Sequence, residues 1–116
     1  MFNGCTALVS VPSDMLPNTT LGGSCYFYMF TGCKNLVNAP ILSATTLVAY
    51  CYHHMFEGCT KLKTITMLAT NISADNCLTQ WVKSVSSTGT FTKAAAMTSL
   101  PTGENGIPSG WTVVNQ

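Results

Sequence analysis

The chain has 116 residues, enough for one domain, with 47% hydrophobic residues, 8% charged residues and a net charge of +1. So few charges exclude an electrostatic nucleic-acid binder, which needs clustered Lys or Arg, and the apolar content excludes a disordered chain. No apolar run approaches the roughly 18 residues that span a bilayer, so no direct membrane insertion is expected. The basic residues are Lys34, Lys61, Lys63, Lys83 and Lys93, and only Lys61 and Lys63 lie close together. No basic segment followed by an apolar stretch opens the chain, so it shows no signal peptide.

The opening segment MFNGCTALVSVP (1–12) recurs as MFTGCKNLVNAP (29–40) and as MFEGCTKLKTIT (55–66). Met1, Met29 and Met55 set spacings of 28 and then 26 residues. A second block repeats with them, as TTLGGSCYFYMF (19–30) and TTLVAYCYHHMF (45–56). A degenerate copy, ATNISADNCLTQWV (69–82), carries one extra residue. Periods of this length mark a stack of similar units, each unable to bury its own apolar face.

Within a unit, Cys25 with Met29, Tyr26 with Phe30, Cys51 with Met55 and Tyr52 with Phe56 all stand four apart. Two such stripes side by side predict one broad apolar face of a short helix. Gly4, Gly32 and Gly58 follow, where a helix end turns through a left-handed residue. The next frame runs Leu8, Val11, Ser13, then Leu36, Ala39, Ile41, then Leu62, Ile65, Met67. Its last two stations are two apart, which predicts a short strand with one face buried. The expected fold is therefore an α/β repeat solenoid, a stack of short helix plus short strand units over residues 1–85.

After Cys77 the pattern changes, continuing as Leu78-Thr-Gln-Trp-Val-Lys-Ser-Val85. Ser73 suits an N-cap, with Asp75 near the helix N-terminus. Thr79, Gln80 and Lys83 give this last helix the polar outer face of a capping repeat. Beyond it, Gly89–Lys93 and Trp111–Val114 read as short strands joined by a Pro/Gly-rich stretch. Residues 86–116 are expected to form a β-rich C-terminal cap whose strands pair. The first residue already lies inside a Met-Phe-x-Gly-Cys block, without the preceding helix start. An uncovered first face is expected, and it favours a piece of a longer array over a chain that self-associates at its N-terminal end.

The pattern Cys-Tyr-x-x-Met-Phe-x-Gly-Cys-x-x-Leu, followed by Ala-Pro-x-Leu-x-Ala-Thr-Thr-Leu, resembles the BspA-like leucine-rich repeats of bacterial cell-surface proteins, particularly of gut Bacteroidetes. The likeness is strongest over residues 24–67 and weaker out to 1–85, and the tail resembles the segment that often closes such arrays. The resemblance implies a right-handed leucine-rich-repeat-like stack, an extracellular or cell-surface location, and adhesion or binding of a protein or glycan on a host or neighbouring cell. It implies no cofactor and no catalytic residues.

The six cysteines fall in two series, Cys5/Cys33/Cys59 and Cys25/Cys51/Cys77. Disulfides, buried free thiols and a metal site are the alternatives, and repeat positions favour ladders of free thiols packing as small hydrophobes. His53 and His54 lie beside Cys51, but no Cys-x-x-Cys or His-x-x-x-His spacing accompanies them. They read as a solvent-facing or groove-lining pair. The carboxylates Asp14, Glu57, Asp75 and Glu104 are scattered, and neither a nucleophile elbow nor a phosphate loop is present, so no enzyme is expected.

Residues between the buried strand stations should point outward as a ribbon: Ser10, Pro12, Asn38, Pro40, Thr64 and Thr66, joined by Lys63. These small hydrogen-bonding residues suit recognition of a protein or glycan. The alternative function is a structural or assembly subunit, such as a stalk, spacer or phage-particle component, stacking through its uncapped end. Asn18-Thr-Thr and Asn71-Ile-Ser are glycosylation sequons, relevant only in a eukaryotic secretory pathway.

Overall fold

Four short strands form the regular structure of the computed structural model, which describes residues 4, 8, 9, 26, 28–97 and 100–116. They are β1 (Asn38–Leu42), β2 (Thr64–Met67), β3 (Thr90–Lys93) and β4 (Thr112–Asn115). All neighbours pair in parallel, in the order β1-β2-β3-β4. Parallel neighbours need a long crossover, usually a helix. Here the crossovers contain none: no helix is present among the described residues.

That finding corrects the expected architecture. The molecule is one parallel sheet with an irregular layer of turns folded over its inner face, not a leucine-rich-repeat-like stack of helix-plus-strand units. It measures 34 × 29 × 23 Å, so it is compact rather than drawn out along one axis. Ser73, expected to cap a helix, instead donates from both its backbone N–H and its hydroxyl to Asn71 Oδ1.

The backbone of the turn layer explains why the apolar spacing of four does not make a helix. Through Tyr50–Cys59 the N–H groups divide by parity. Those of Cys51, Met55 and Cys59 donate to carbonyls three residues back, at Val48, Tyr52 and Phe56. Those of Tyr50, Tyr52, His54, Phe56 and Gly58 donate to the following circuit, at Asp75, Cys77, Thr79, Trp81 and Lys83. An α-helix would direct every one to the fourth residue back. Left-handed residues recur at every fourth position: Tyr50, His54 and Gly58, then Asn76, Gln80 and Ser84. Tyr50, His54, Gly58 and Gln80 are each the third residue of a hydrogen-bonded four-residue turn, where type II geometry has positive φ. Gly32 and Gly58 stack in register, a Cβ built on Gly58 lying 3.6 Å from Gly32 Cα.

Short isolated helices are marginal in water. The turn array gains a hydrogen-bond ladder to its neighbour instead, together with aromatic stacking. Phe30 and Phe56 stack at 5.6 Å and Tyr26 and Tyr52 at 6.2 Å. Trp81 meets Phe56 at 5.9 Å and the β3 residue Phe91 at 6.0 Å, joining the turn layer to the sheet. Leu36, Leu42, Ile65, Met67 and Phe91 from the sheet side, with Tyr52, Met55 and Leu78 from the turns, form one buried cluster. Burial of each such side chain contributes about 1.5–3 kcal/mol before entropy is counted.

Two local departures tune the sheet. The β1 register jumps from Asn38 opposite Thr64 to Ile41 opposite Thr66. Ala39 and Pro40 therefore share the space facing Ile65, a bulge where proline's missing N–H costs no ladder bond. As a result Pro40 and Leu42 are buried and Ile41 turns outward, against the expectation that Ala39 and Ile41 carry the buried face. At β3, Gly89 lets the Trp111 ring approach closely: a Cβ there would lie 2.6 Å from the indole and 2.5 Å from Lys63 O. Trp111 Nε1 donates to Ser86 O at 2.7 Å, fixing the ring over that glycine.

Candidate functional site

The outer face of the sheet follows from strand alternation and register. Side chains at i and i+2 share a face, and neighbouring parallel strands lie roughly 4.8 Å apart. Register aligns Asn38, Thr64, Thr90 and Thr112 in one row and Ile41, Thr66, Thr92 and Val114 in a second. Asn38, Thr64, Thr90 and Thr112 are exposed, and Thr66 and Thr92 are half-buried. Thr64 Oγ1 donates to Asn38 Oδ1 at 2.6 Å, so the first pair of the row is already ordered. The face is uncharged and carries hydroxyls at regular intervals, which allows directional contacts without an electrostatic anchor.

Of the residues expected on this ribbon, Asn38, Thr64 and Thr66 lie together on it. Lys63 is exposed and immediately precedes β2. Pro40 does not join the face, because the bulge turns it into the core. Ser10 and Pro12 lie outside the described residues. Thr90, Thr92 and Thr112 extend the face but were not among the expected site residues. Their signal was present: Thr90-Phe-Thr92 repeats Thr64-Ile-Thr66 at the same 26-residue spacing that sets the β2–β3 register.

The turn layer carries an aromatic and histidine cluster. Tyr28 lies parallel to His54 at 4.8 Å, and Tyr50 tilts against His53 at 5.3 Å. His54 Nδ1 is 3.1 Å from Glu57 Oε1, within ion-pair distance though not aligned as a hydrogen bond. Burial and the neighbouring His54 push the His53 pKa down, against the opposing pull of Glu57. Among the described residues no group of three potential metal ligands converges.

The four described cysteines, Cys33, Cys51, Cys59 and Cys77, are buried free thiols. Cys59 Sγ donates to Phe30 O at 3.0 Å, and its pKa is raised to about 12 by burial and by Cys33 beside it. Such a thiol is not a nucleophile at neutral pH. Cys5 and Cys25 lie outside the described residues.

Among the described residues, clefts open beside the turn layer. One, of about 210 Å³, is lined by Ser84, Ser86, Ser87, Ser109 and Glu104 among others. A second, of about 200 Å³, has Asn76, Thr79 and Asn105 at its rim. Neither His54 nor Glu57 lines either cleft. No described helix is long and apolar enough to cross a membrane. No protein-family model, curated protein or solved structure matches this chain.

Proposed function

We propose that this protein is a non-enzymatic recognition module that engages a protein or glycan partner through the outer face of its sheet. The observation carrying this reading is the pair of in-register rows that continue Thr64 into Thr90 and Thr112, and Thr66 into Thr92. Rigid strands hold these hydroxyls in fixed positions, which lowers the ordering cost of a contact surface. The non-enzymatic part of this reading is supported by the Cys59 thiol, which burial holds protonated, and by the His54–Glu57 pair, which lines neither of the clefts of about 210 and 200 Å³. A cell-surface setting rests on the repeat resemblance alone.

The test is a screen of host-surface proteins and glycans, followed by the paired substitution Thr64→Arg and Thr90→Arg. Both positions are exposed, so folding should persist while binding falls by at least roughly tenfold, the effect of misplaced charges in an uncharged contact. A partner bound equally well by this variant would remove the outer face from consideration.

A second reading, as an assembly subunit, draws on β4. Its four residues are exposed, Val113 and Val114 included, and it forms one end of the sheet without charge, proline or bulge to guard it. Light scattering separates the two: mass growing with concentration supports assembly, and a concentration-independent monomer supports the recognition module.

A further inference from the structure

The cleft of about 200 Å³ beside the turn layer has a lining unlike a packing defect. Ile72, Cys77 and Leu78 give it an apolar floor, and Asn76, Thr79 and Asn105 stand around it as neutral hydrogen-bonding groups. No Lys, Arg, His, Asp or Glu lines it. That excludes an anion, which would need a cation or converging donors, and a divalent metal, which would need carboxylates. The Cys77 thiol is committed to Ile72 O at 3.4 Å.

The polar groups are held in place but not exhausted. Asn76 Nδ2 donates to Tyr50 Oη at 3.1 Å, and Thr79 Oγ1 donates to Asn76 Oδ1 at 3.1 Å. Asn105 Oδ1 accepts from the Gln80 N–H at 2.7 Å, and no described residue takes its Nδ2 donors. An amide carries two donors and two acceptor lone pairs, so both asparagines retain capacity toward the cleft. Asn76 is also anchored outside the cleft, by its hydrogen bond to the Tyr50 hydroxyl. Asn76 is one of the left-handed residues, so the turn array itself aims this amide.

We propose that this cleft binds one neutral saccharide ring. A pyranose combines an apolar C–H face, suited to the Ile72, Cys77 and Leu78 lining, with edge hydroxyls that pair with amides and a threonine hydroxyl. The cleft is smaller than the roughly 300–1,000 Å³ of drug-sized pockets, which fits a single ring and not an extended chain. The site lies in the turn layer, away from the strand rows, and does not depend on the outer-face reading.

The experiment is a ¹⁵N-resolved NMR titration of the full chain with D-glucose, D-galactose and N-acetyl-D-glucosamine. A site this small and open supports affinity on the order of millimolar. The expected result is saturable shifts at the Asn76 and Asn105 side-chain amides for at least one sugar. Asn105→Asp keeps the acceptor for Gln80 N–H but removes the Nδ2 donors. Thr79→Val keeps the side-chain shape and removes the hydroxyl. Each should weaken binding roughly tenfold, the loss of one well-placed hydrogen bond, while leaving thermal unfolding close to wild type. Absence of saturable shifts with all three sugars, or binding that survives both substitutions, overturns the proposal. Neither outcome touches the strand-face variants, so the two readings fail separately.

Discussion

His53 holds a position where the preceding repeat has Phe27, and its environment is correspondingly poor for charge. Its folded pKa lies below the ordinary 6.5, because burial and His54 disfavour the imidazolium more than Glu57 favours it. The stability contribution of neutral His53 is therefore complete above the unfolded pKa and is lost as pH falls from 6.5 towards the folded value. His54 and Glu57 also face this group, so the measurement is a difference. His53→Phe should melt with less acid sensitivity than wild type between about pH 8 and pH 5, and a proton-NMR titration should place His53 below its usual pKa. Equal acid sensitivity in the two proteins would show that His53 is not carrying the effect.

At the level of elements, the turn array is the part of the fold that the amino-acid pattern concealed. Cys51 with Met55 and Tyr52 with Phe56 fit a helix and a chain of four-residue turns equally well over so short a stretch. A strict period of four drifts about 40° per step around an α-helix, but two steps are too few to reveal the drift. The structure distinguishes them at Tyr50 and His54, which stand eight and four residues before Gly58 and share its positive φ. Gly58→Ala tests the left-handed turn position experimentally. At a φ of 79° the added Cβ should cost about 1–2 kcal/mol. We expect a melting temperature lowered by several degrees. The strands were more legible: Leu62, Ile65 and Met67 are buried as their spacing indicates. The β1 bulge was not, because a proline between Ala39 and Ile41 gives no sign of which neighbour will be displaced outward. The second Thr-x-Thr motif was visible at the repeat spacing, yet its place in a separate tail hid its continuity with the ribbon.

For the whole molecule, one buried cluster joins sheet and turns, and thiols are distributed along it. Cys33, Cys51 and Cys59 are fully inaccessible and Cys77 is 4% exposed. The expected outcome is that a thiol reagent at neutral pH modifies these four only at the rate of global unfolding, read by peptide mass spectrometry with and without denaturant. Rapid native-state modification of Cys33 or Cys59 would show that the turn layer opens independently of the sheet. The ladder of free thiols was legible from the repeat, since residues at equivalent stations of stacked circuits share one environment. The overall shape was not, because it depends on what connects the strands, and the helical reading of that connection was wrong.

The division of N–H groups by parity imposes a rule on length. A circuit may gain or lose a whole turn and still present the same alternation to its neighbour. Adding or removing a single residue would exchange the inward and sideways bonds of everything downstream. Thr64 and Thr90 are paired across 26 residues, Thr90 and Thr112 across 22, a difference of one four-residue turn. The odd residue in β1 is absorbed at Pro40, outside the turns altogether. Between these strands chain length thus changes by one whole turn, while single residues are taken up at the β1 bulge and after Asn71.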